Sequence, residues 1–371
     1  MPKVFLSKIK ETIDRTIAQL LEETEFSKGL QGDSILIKPN LFEPVSYTTG
    51  QTTNPNLVGA VIKCCFAQGA KEVCVGEGPS YFLSEHALKD CFIKTGVAEV
   101  VERCQARWIL FDEHNFKTYR DVSPFLPKEF GISEHAFAYN KIINLPVPKT
   151  HYLTGVSIAM KNLKGFLRRA DKPLFHRIGI NEAVVELNKI IEPSLNIADF
   201  TSPAQKHSGF ILAGNDRVAV DTVATSLMGL NPDEIKTIQL GYQAGLGEKN
   251  IAKIDIKGED VKGLKMRYEL PSEWLERKFP LLKIRGYDTA CSGCLIPLFS
   301  SLAQIAELGK SLKKPLTIIL GTSDDASQPS GVIFMGDCTT HKLERGSGVK
   351  GCPPQKEDIL KVLYEHLQDN Y

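Results

Sequence analysis

The chain lacks any stretch approaching the roughly 18 consecutive apolar residues of a membrane span. Its first residues, Met1-Pro2-Lys3-Val4-Phe5-Leu6-Ser7-Lys8, lack the apolar core and the small-residue cleavage site of a secretory signal. The expected compartment is therefore the cytoplasm. An excess of either charge is missing as well. The sequence has 45 Lys+Arg against 44 Asp+Glu, a formal charge of +1. That balance gives no reason to expect a nucleic-acid partner or an anionic membrane surface. No G-x-G-x-x-G element follows a strand-like run and no P-loop is present, so a built-in nicotinamide or nucleoside triphosphate site is not indicated. Internal repeats and low-complexity tracts are absent too.

What is present is an ordinary globular composition, 42% hydrophobic and 24% charged, over 371 residues. That length suggests about two or three domains and a core that needs no disulfide staples. Strand-like and helix-like runs alternate. Ser34 to Lys38 reads as a short buried strand ending at Pro39-Asn40. Asn54-Pro55-Asn56 reads as a cap before a helix over Leu57–Gln68. Glu72 to Val75 is the next strand, with Gly76-Glu77-Gly78-Pro79 as its loop. Trp108 to Asp112, Lys141 to Pro146, Leu195 to Asp199 and Gly209 to Ala213 are further strands. The expected fold class is α/β, a mostly parallel sheet covered by helices with a smaller C-terminal α/β domain. The expected division is a main body over residues 1–275 and a cysteine-rich domain over residues 285–371.

The nine cysteines are unevenly spread. Cys64, Cys65, Cys74, Cys91 and Cys104 fall in predicted helices and one strand and read as packing residues. None lies between residues 105 and 290. Then Cys291-Ser292-Gly293-Cys294, Gly336-Asp337-Cys338 and Gly351-Cys352-Pro353-Pro354 follow in a window of 62 residues. A C-x-x-C pair places two sulfurs on one centre, and the adjacent glycines let backbone approach it closely. Pro353 and Pro354 stiffen the turn that holds Cys352. All-thiolate ligation by Cys291, Cys294, Cys338 and Cys352 suits one [4Fe–4S] cluster. Structural zinc is the alternative, although it usually takes two tight pairs where this chain has one. Buried or redox-active thiols without metal are the third reading.

A second set of residues sits where predicted strands end: Lys38 and Asn40, Lys149 and His151, Lys161, Asn162 and Lys164, His176, Asp199, and Asp216 with Asp221. Side chains at the carboxyl ends of strands in an open α/β sheet converge on one crevice. Lys38, Asn40, Asn162, Lys164, Asp199 and Asp221 are the candidate binding residues there, and the lysines and asparagines suit a small anionic ligand. His151, Lys149, Lys161 and His176 are the candidate acid–base groups. Each has a plainer reading. Lysine-rich loops are commonly solvated, and an aspartate before a helix is commonly its N-cap.

The cysteine pattern resembles the proximal-cluster motif of the small subunits of nickel–iron hydrogenases and of the related subunit of respiratory NADH dehydrogenase. That likeness is confined to the tail and implies a ligand set, not hydrogen chemistry. Lys38-Pro39-Asn40, Gly76-Glu77-Gly78, Pro148-Lys149-Thr150-His151, Met160 to Gly165, His176, Asp199 and Asn215 to Asp221 together resemble the family called domain of unknown function 362, over about residues 30–250. The resemblance implies an iron–sulfur centre protein, with a ferredoxin-like cluster domain at the C-terminal end in many members. This chain departs there, because it lacks the compact C-x-x-C-x-x-C-x-x-x-C run, so one cluster is implied. The leading expectation is a redox enzyme or electron-transfer protein acting on an anionic small molecule. The alternatives are a non-redox lyase, isomerase or transferase using the cluster as Lewis acid or staple, and a non-catalytic electron carrier or assembly factor. The sequence decides neither for nor against flavin, an electron-donor protein or self-association.

Overall fold

A computed structural model describes the chain except for residues 27, 82, 206–207, 288, 323–330, 340–346 and 370–371. It is a mixed α/β protein with a large, mostly parallel sheet flanked by helices. Two compact units are present: Met1–Thr150 with Val156–Tyr268, and His151–Gly155 with Glu269–Tyr371.

In the first unit eight strands lie in the order Asp255–Gly258, Lys3–Lys8, Phe210–Gly214, Leu195–Phe200, Lys141–Leu145, Ser34–Pro39, Glu72–Glu77 and Arg107–Leu110. Every neighbouring pair is parallel except the two that involve Phe210–Gly214, which runs against both its partners. Ser34–Pro39 is buried along its whole length, as expected for a central strand covered on both faces. Ile35, Ile37, Val73, Val75, Ile143, Leu145, Leu195 and Ile197 point into a core shared with the helices Ile13–Glu23, Pro55–Ala67 and Val97–Arg103. Strand side chains alternate between faces. Lys38, Asn144 and Asn196, which are register partners across three strands, therefore occupy the opposite face. The helices Ala159–Asn162, Lys172–Ile190 and Arg217–Leu227 make contacts there.

Local sequence explains several helix starts. The Asn54 side chain accepts from Asn56 N, and Pro55 takes the first helical position, where a missing N–H costs nothing. Asp216 accepts from Ala219 N and from Glu248 N, so it is the N-cap of Arg217–Leu227 and also ties down a distant loop. The structure adds elements that periodicity alone does not reveal. They are the strand Lys3–Lys8, the antiparallel hairpin Phe116–Arg120 with Glu129–Ser133, and the edge strand Asp255–Gly258. The last lies in a charged segment whose alternation is too short to read.

The second unit has its own parallel sheet, Leu282–Arg285, Leu316–Ile319, Val332–Met335 and Ser347–Val349. The helices Ser292–Glu307 and Lys356–Tyr364 pack on it around Leu295, Leu298, Phe299, Leu302, Ile333 and Ile359. Tyr152 belongs to this core, with its ring 4.3 Å from that of Phe299.

Candidate functional site

In the first unit, residues at the carboxyl ends of the parallel strands form a buried polar network. Lys38 is 0% exposed and Glu77 4%, and their side chains pair at 2.8 Å. Lys38 also donates to Pro39 O, while Glu77 accepts from Leu41 N and Gly78 N. This pair explains Gly165. A Cβ there would lie 2.1 Å from Glu77 Oε1 and 2.5 Å from Lys38 Nζ, so only glycine lets the backbone cross the pair. Burial lowers the Lys38 pKa, and Glu77 opposes the shift.

From this pair a chain of amides crosses the sheet. Asn40 donates to Asn162 Oδ1 at 3.0 Å, Asn162 to Asn144 Oδ1 at 2.8 Å, and Asn144 to Asn196 Oδ1 at 2.9 Å. Asn144 and Asn196 are fully buried, and each amide finds a partner, so the row fixes strand-end geometry without an exposed group. Lys149 joins at the other end. Its ammonium donates to Asn40 Oδ1 and to Gln51 O, and it stands 4.0 Å from the centre of the Phe42 ring.

Five lysines thus gather in one region: Lys38, Lys149, Lys161, Lys164 and Lys172. Burial pushes Lys149 and Lys161 down to about 7, Lys172 to about 8, and Lys164 well below its ordinary value. For Lys149 the neighbouring charge of Lys161 adds to burial, whereas Glu43 and Glu77 oppose it. Lys172 is countered by Asp112 and Glu77, and it donates to Gly78 O and Pro79 O. Among the described residues no carboxylate counters Lys161 or Lys164. Lys164 Nζ lies 2.6 Å from His176 Nε2.

The structure brings Lys38, Asn40, Lys149, Asn162, Lys164 and His176 into this region. Lys38 and Asn162 are consumed by it, since their polar ends are bonded within the protein. Asp199 stands elsewhere, accepting from Asn54 N, Thr201 N and Thr201 Oγ1. Asp221 accepts from Ala159 N at 2.7 Å and Met160 N at 3.2 Å, and burial pushes its pKa up to about 7. Both carboxylates hold backbone. His151 belongs to the second unit, and its Nδ1 accepts from Leu153 N and Thr154 N. Sequence reasoning missed Glu77, Lys172, Asn144 and Asn196. The signal for Glu77 was its place between Gly76 and Gly78 after a strand. For the asparagines it was an amide inside an otherwise apolar strand.

In the second unit, turns at the ends of two parallel strands carry Cys338 and Cys352, and the helix Ser292–Glu307 starts beside Cys291. Gly336 sits against Cys294: a Cβ would lie 2.7 Å from the sulfur, and φ is +88°. Gly351 N donates to Asp337 Oδ1 at 2.8 Å and joins the two cysteine turns. The Cys294 thiol is pushed up first by its hydrogen bond with Cys291, then by burial, then by the charges of Cys291, Cys338 and Cys352. Among the described residues no three His, Cys, Asp or Glu side chains are gathered to hold a metal ion. The four thiol donors, with Gly336 against the Cys294 sulfur, are of the kind an all-thiolate metal centre uses. The other five cysteines are free, four of them buried, and burial raises Cys65 and Cys91 to about 12.

No helix among the described residues is long and apolar enough to cross a membrane. Over 232 residues the chain is 25% identical to the thylakoid-associated protein sll1697 of Synechocystis sp. (strain ATCC 27184 / PCC 6803 / Kazusa), covering 58% of this chain and 69% of that protein. It is also similar to the structure of the lactate racemase apoprotein from Thermoanaerobacterium thermosaccharolyticum, with a TM-score of 0.41 and 13% identity. That match covers 62% of this chain and 58% of the other, so the chain spans less than two thirds of that relative. The model of the family described as domain of unknown function (DUF362) matches residues 35–226. More than half of the sequence, including the polar network and the lysines around it, thus follows one family pattern, and the chain belongs to the DUF362 family.

Proposed function

We propose that the chain is an iron–sulfur protein of anaerobic metabolism, a redox enzyme or electron-transfer protein, whose first unit binds a small anionic molecule. The observation that carries this reading is the pair Lys161 and Lys164. They lie among other lysines, their charged forms are disfavoured by burial, and no described carboxylate counters them. Clustered cations of this kind call for an anion. With Lys149 they offer donors to a carboxylate or phosphate. Lys161, near neutrality, is suited to hold or release a proton, and the Lys164–His176 contact gives a second exchange point. Cys291, Cys294, Cys338 and Cys352 would hold one [4Fe–4S] cluster, which supplies one-electron transfer when bound.

A non-redox lyase, isomerase or transferase is the second reading. It is favoured by the same lysines, whose proton chemistry requires no electron. The test is anaerobic reconstitution of the full chain with iron and sulfide, followed by iron and sulfide analysis, visible absorption and spin resonance before and after dithionite. The expected result is ~4 iron atoms per chain and a reducible signal. A cluster that forms but cannot be reduced selects the non-redox reading. Tight zinc with no iron uptake refutes the cluster. Titration with phosphate and acetate tests the anion site, and Lys161→Ala should lose that binding.

A further inference from the structure

A cavity of about 260 Å³ in the first unit is lined by Gln51, Lys149, Thr150, Gln205, Arg267 and Tyr268, among others. Lys149 is thus both a member of the lysine group and part of this wall. The cavity has an unusual feature. Gln205 is 7% exposed, yet neither its amide nitrogen nor its amide oxygen has a partner among the described residues. The Tyr268 hydroxyl is also buried with no close bond; burial raises its pKa, and the Gln205 side chain beside it lowers it through a longer hydrogen-bonding contact. Elsewhere in this unit the buried amides Asn40, Asn144 and Asn162 are bonded, and Asn188 lacks a close partner only at its oxygen. Native structures rarely leave such groups unpaired without a ligand or ordered water to take them up.

The chemistry of the wall restricts what fits. A carboxamide presents donors and an acceptor side by side, and a phenol adds one of each. Burial raises the Tyr268 pKa, so its hydroxyl keeps its proton. Gln205 and Tyr268 therefore offer neutral donors and an acceptor, while Lys149 and Arg267 bring cations to the lining. The volume lies just below the roughly 300–1,000 Å³ range of drug-sized sites, which sets the ligand as a small molecule.

We propose that this cavity is a subsite for the uncharged end of the ligand, and that the ligand is a small carboxylate bearing a carboxamide, whose donor and acceptor pair with Gln205 and Tyr268 while its carboxylate meets Lys149. This deepens the anion-binding reading and rests on it for the carboxylate end. It explains why a buried glutamine makes no close hydrogen bond in the free chain. It also sets the site apart from a plain phosphate or acetate site.

The experiment is isothermal titration of the full chain with succinamate, glutaramate, butyrate, succinate and succinamide. One of the two amide-bearing acids should bind about tenfold more tightly than butyrate, the value of one well-made hydrogen-bonding group over an apolar one. Gln205→Leu should erase that preference, bringing the amide-bearing acids level with butyrate or below it. Tyr268→Phe supplies a second variant with a smaller loss of preference. Equal binding of the amide acids and butyrate overturns the subsite while leaving the anion reading intact. Succinate binding more tightly than both amide acids overturns it also. If succinamide binds as tightly as succinamate and Lys149→Met changes nothing, the anion reading fails and the carboxylate half of the proposal falls with it. No binding of any probe overturns the proposal outright.

Discussion

Replacing Lys38 by Met should be among the most damaging single changes in the first unit. The ammonium is fully buried and pairs with Glu77 at 2.8 Å. Removing it strands a carboxylate that is itself 4% exposed. Loss of one partner of a buried pair costs about 3–5 kcal/mol. Glu77 still accepts from Leu41 N and Gly78 N, which stabilises the lone charge and places the cost near the low end. Pro39 O loses its donor, which adds about 1 kcal/mol. The sum is roughly 4 kcal/mol, a large share of the ~5–15 kcal/mol that a domain has. The double variant Lys38→Met/Glu77→Gln removes the stranded charge, and its amide oxygen still accepts one backbone N–H. It should recover about 2 kcal/mol as a coupling in a double-mutant cycle. Urea unfolding reports this if each unit is followed separately. The chain has 2 tryptophans, and Trp108 and Trp274 fall in different units. Fluorescence in a Trp274→Phe background therefore follows the first unit alone. A Lys38→Met cost below about 1 kcal/mol, or strictly additive effects in the double variant, would refute the reasoning.

Lys149 and Lys161 are lowered from 10.5 to about 7 in the folded chain. The unfolded chain binds more protons between those values, so stability of the first unit should rise with pH from about 7 to 10.5. Thermal melts across that range check this, and Lys161→Met should flatten the slope. Anion affinity should move the other way, falling as pH rises through about 7, with proton uptake seen as a buffer-dependent heat. Asp221→Ala frees two backbone amides at Ala159 and Met160 and should cost roughly 2–4 kcal/mol by urea unfolding. The Asp221 carboxyl is raised from 3.8 to about 7, so its contribution is lost as pH rises across that interval, and the variant should lack that decline. Cys294→Ser should abolish iron retention after reconstitution and lower the melting temperature of the second unit, because Cys294 lies in that unit's core. The Trp108 unfolding transition should not shift, and a shift of equal size in both transitions would show a single cooperative unit.

The local rules in the sequence were enough for much of the α/β rhythm. Asn54-Pro55 starts a helix because capping and a fixed proline φ act within a few residues. The runs at Ser34, Glu72, Lys141, Leu195 and Phe210 form strands because apolar, β-branched residues between turn signals suit a covered sheet. The glycines before Cys338 and Cys352 marked turns that the fold uses, whereas Gly293 beside Cys294 lies inside the helix Ser292–Glu307. Strand order and direction were not legible. Lys3–Lys8 pairs with residues more than 200 positions away, and Phe210–Gly214 runs antiparallel to its neighbours. Neither follows from spacing, because pairing is chosen by contacts across the whole unit. The same holds for the site. Lys38, Asp199 and Asp221 all read as ligand-binding groups at strand and helix ends. The tertiary structure gives Lys38 to Glu77 and the two aspartates to backbone amides. Among the described residues no carboxylate counters Lys161 or Lys164, and burial disfavours their charged forms. A side chain's type is written in the sequence, but what neutralises it is decided only where distant segments are packed together and water is excluded.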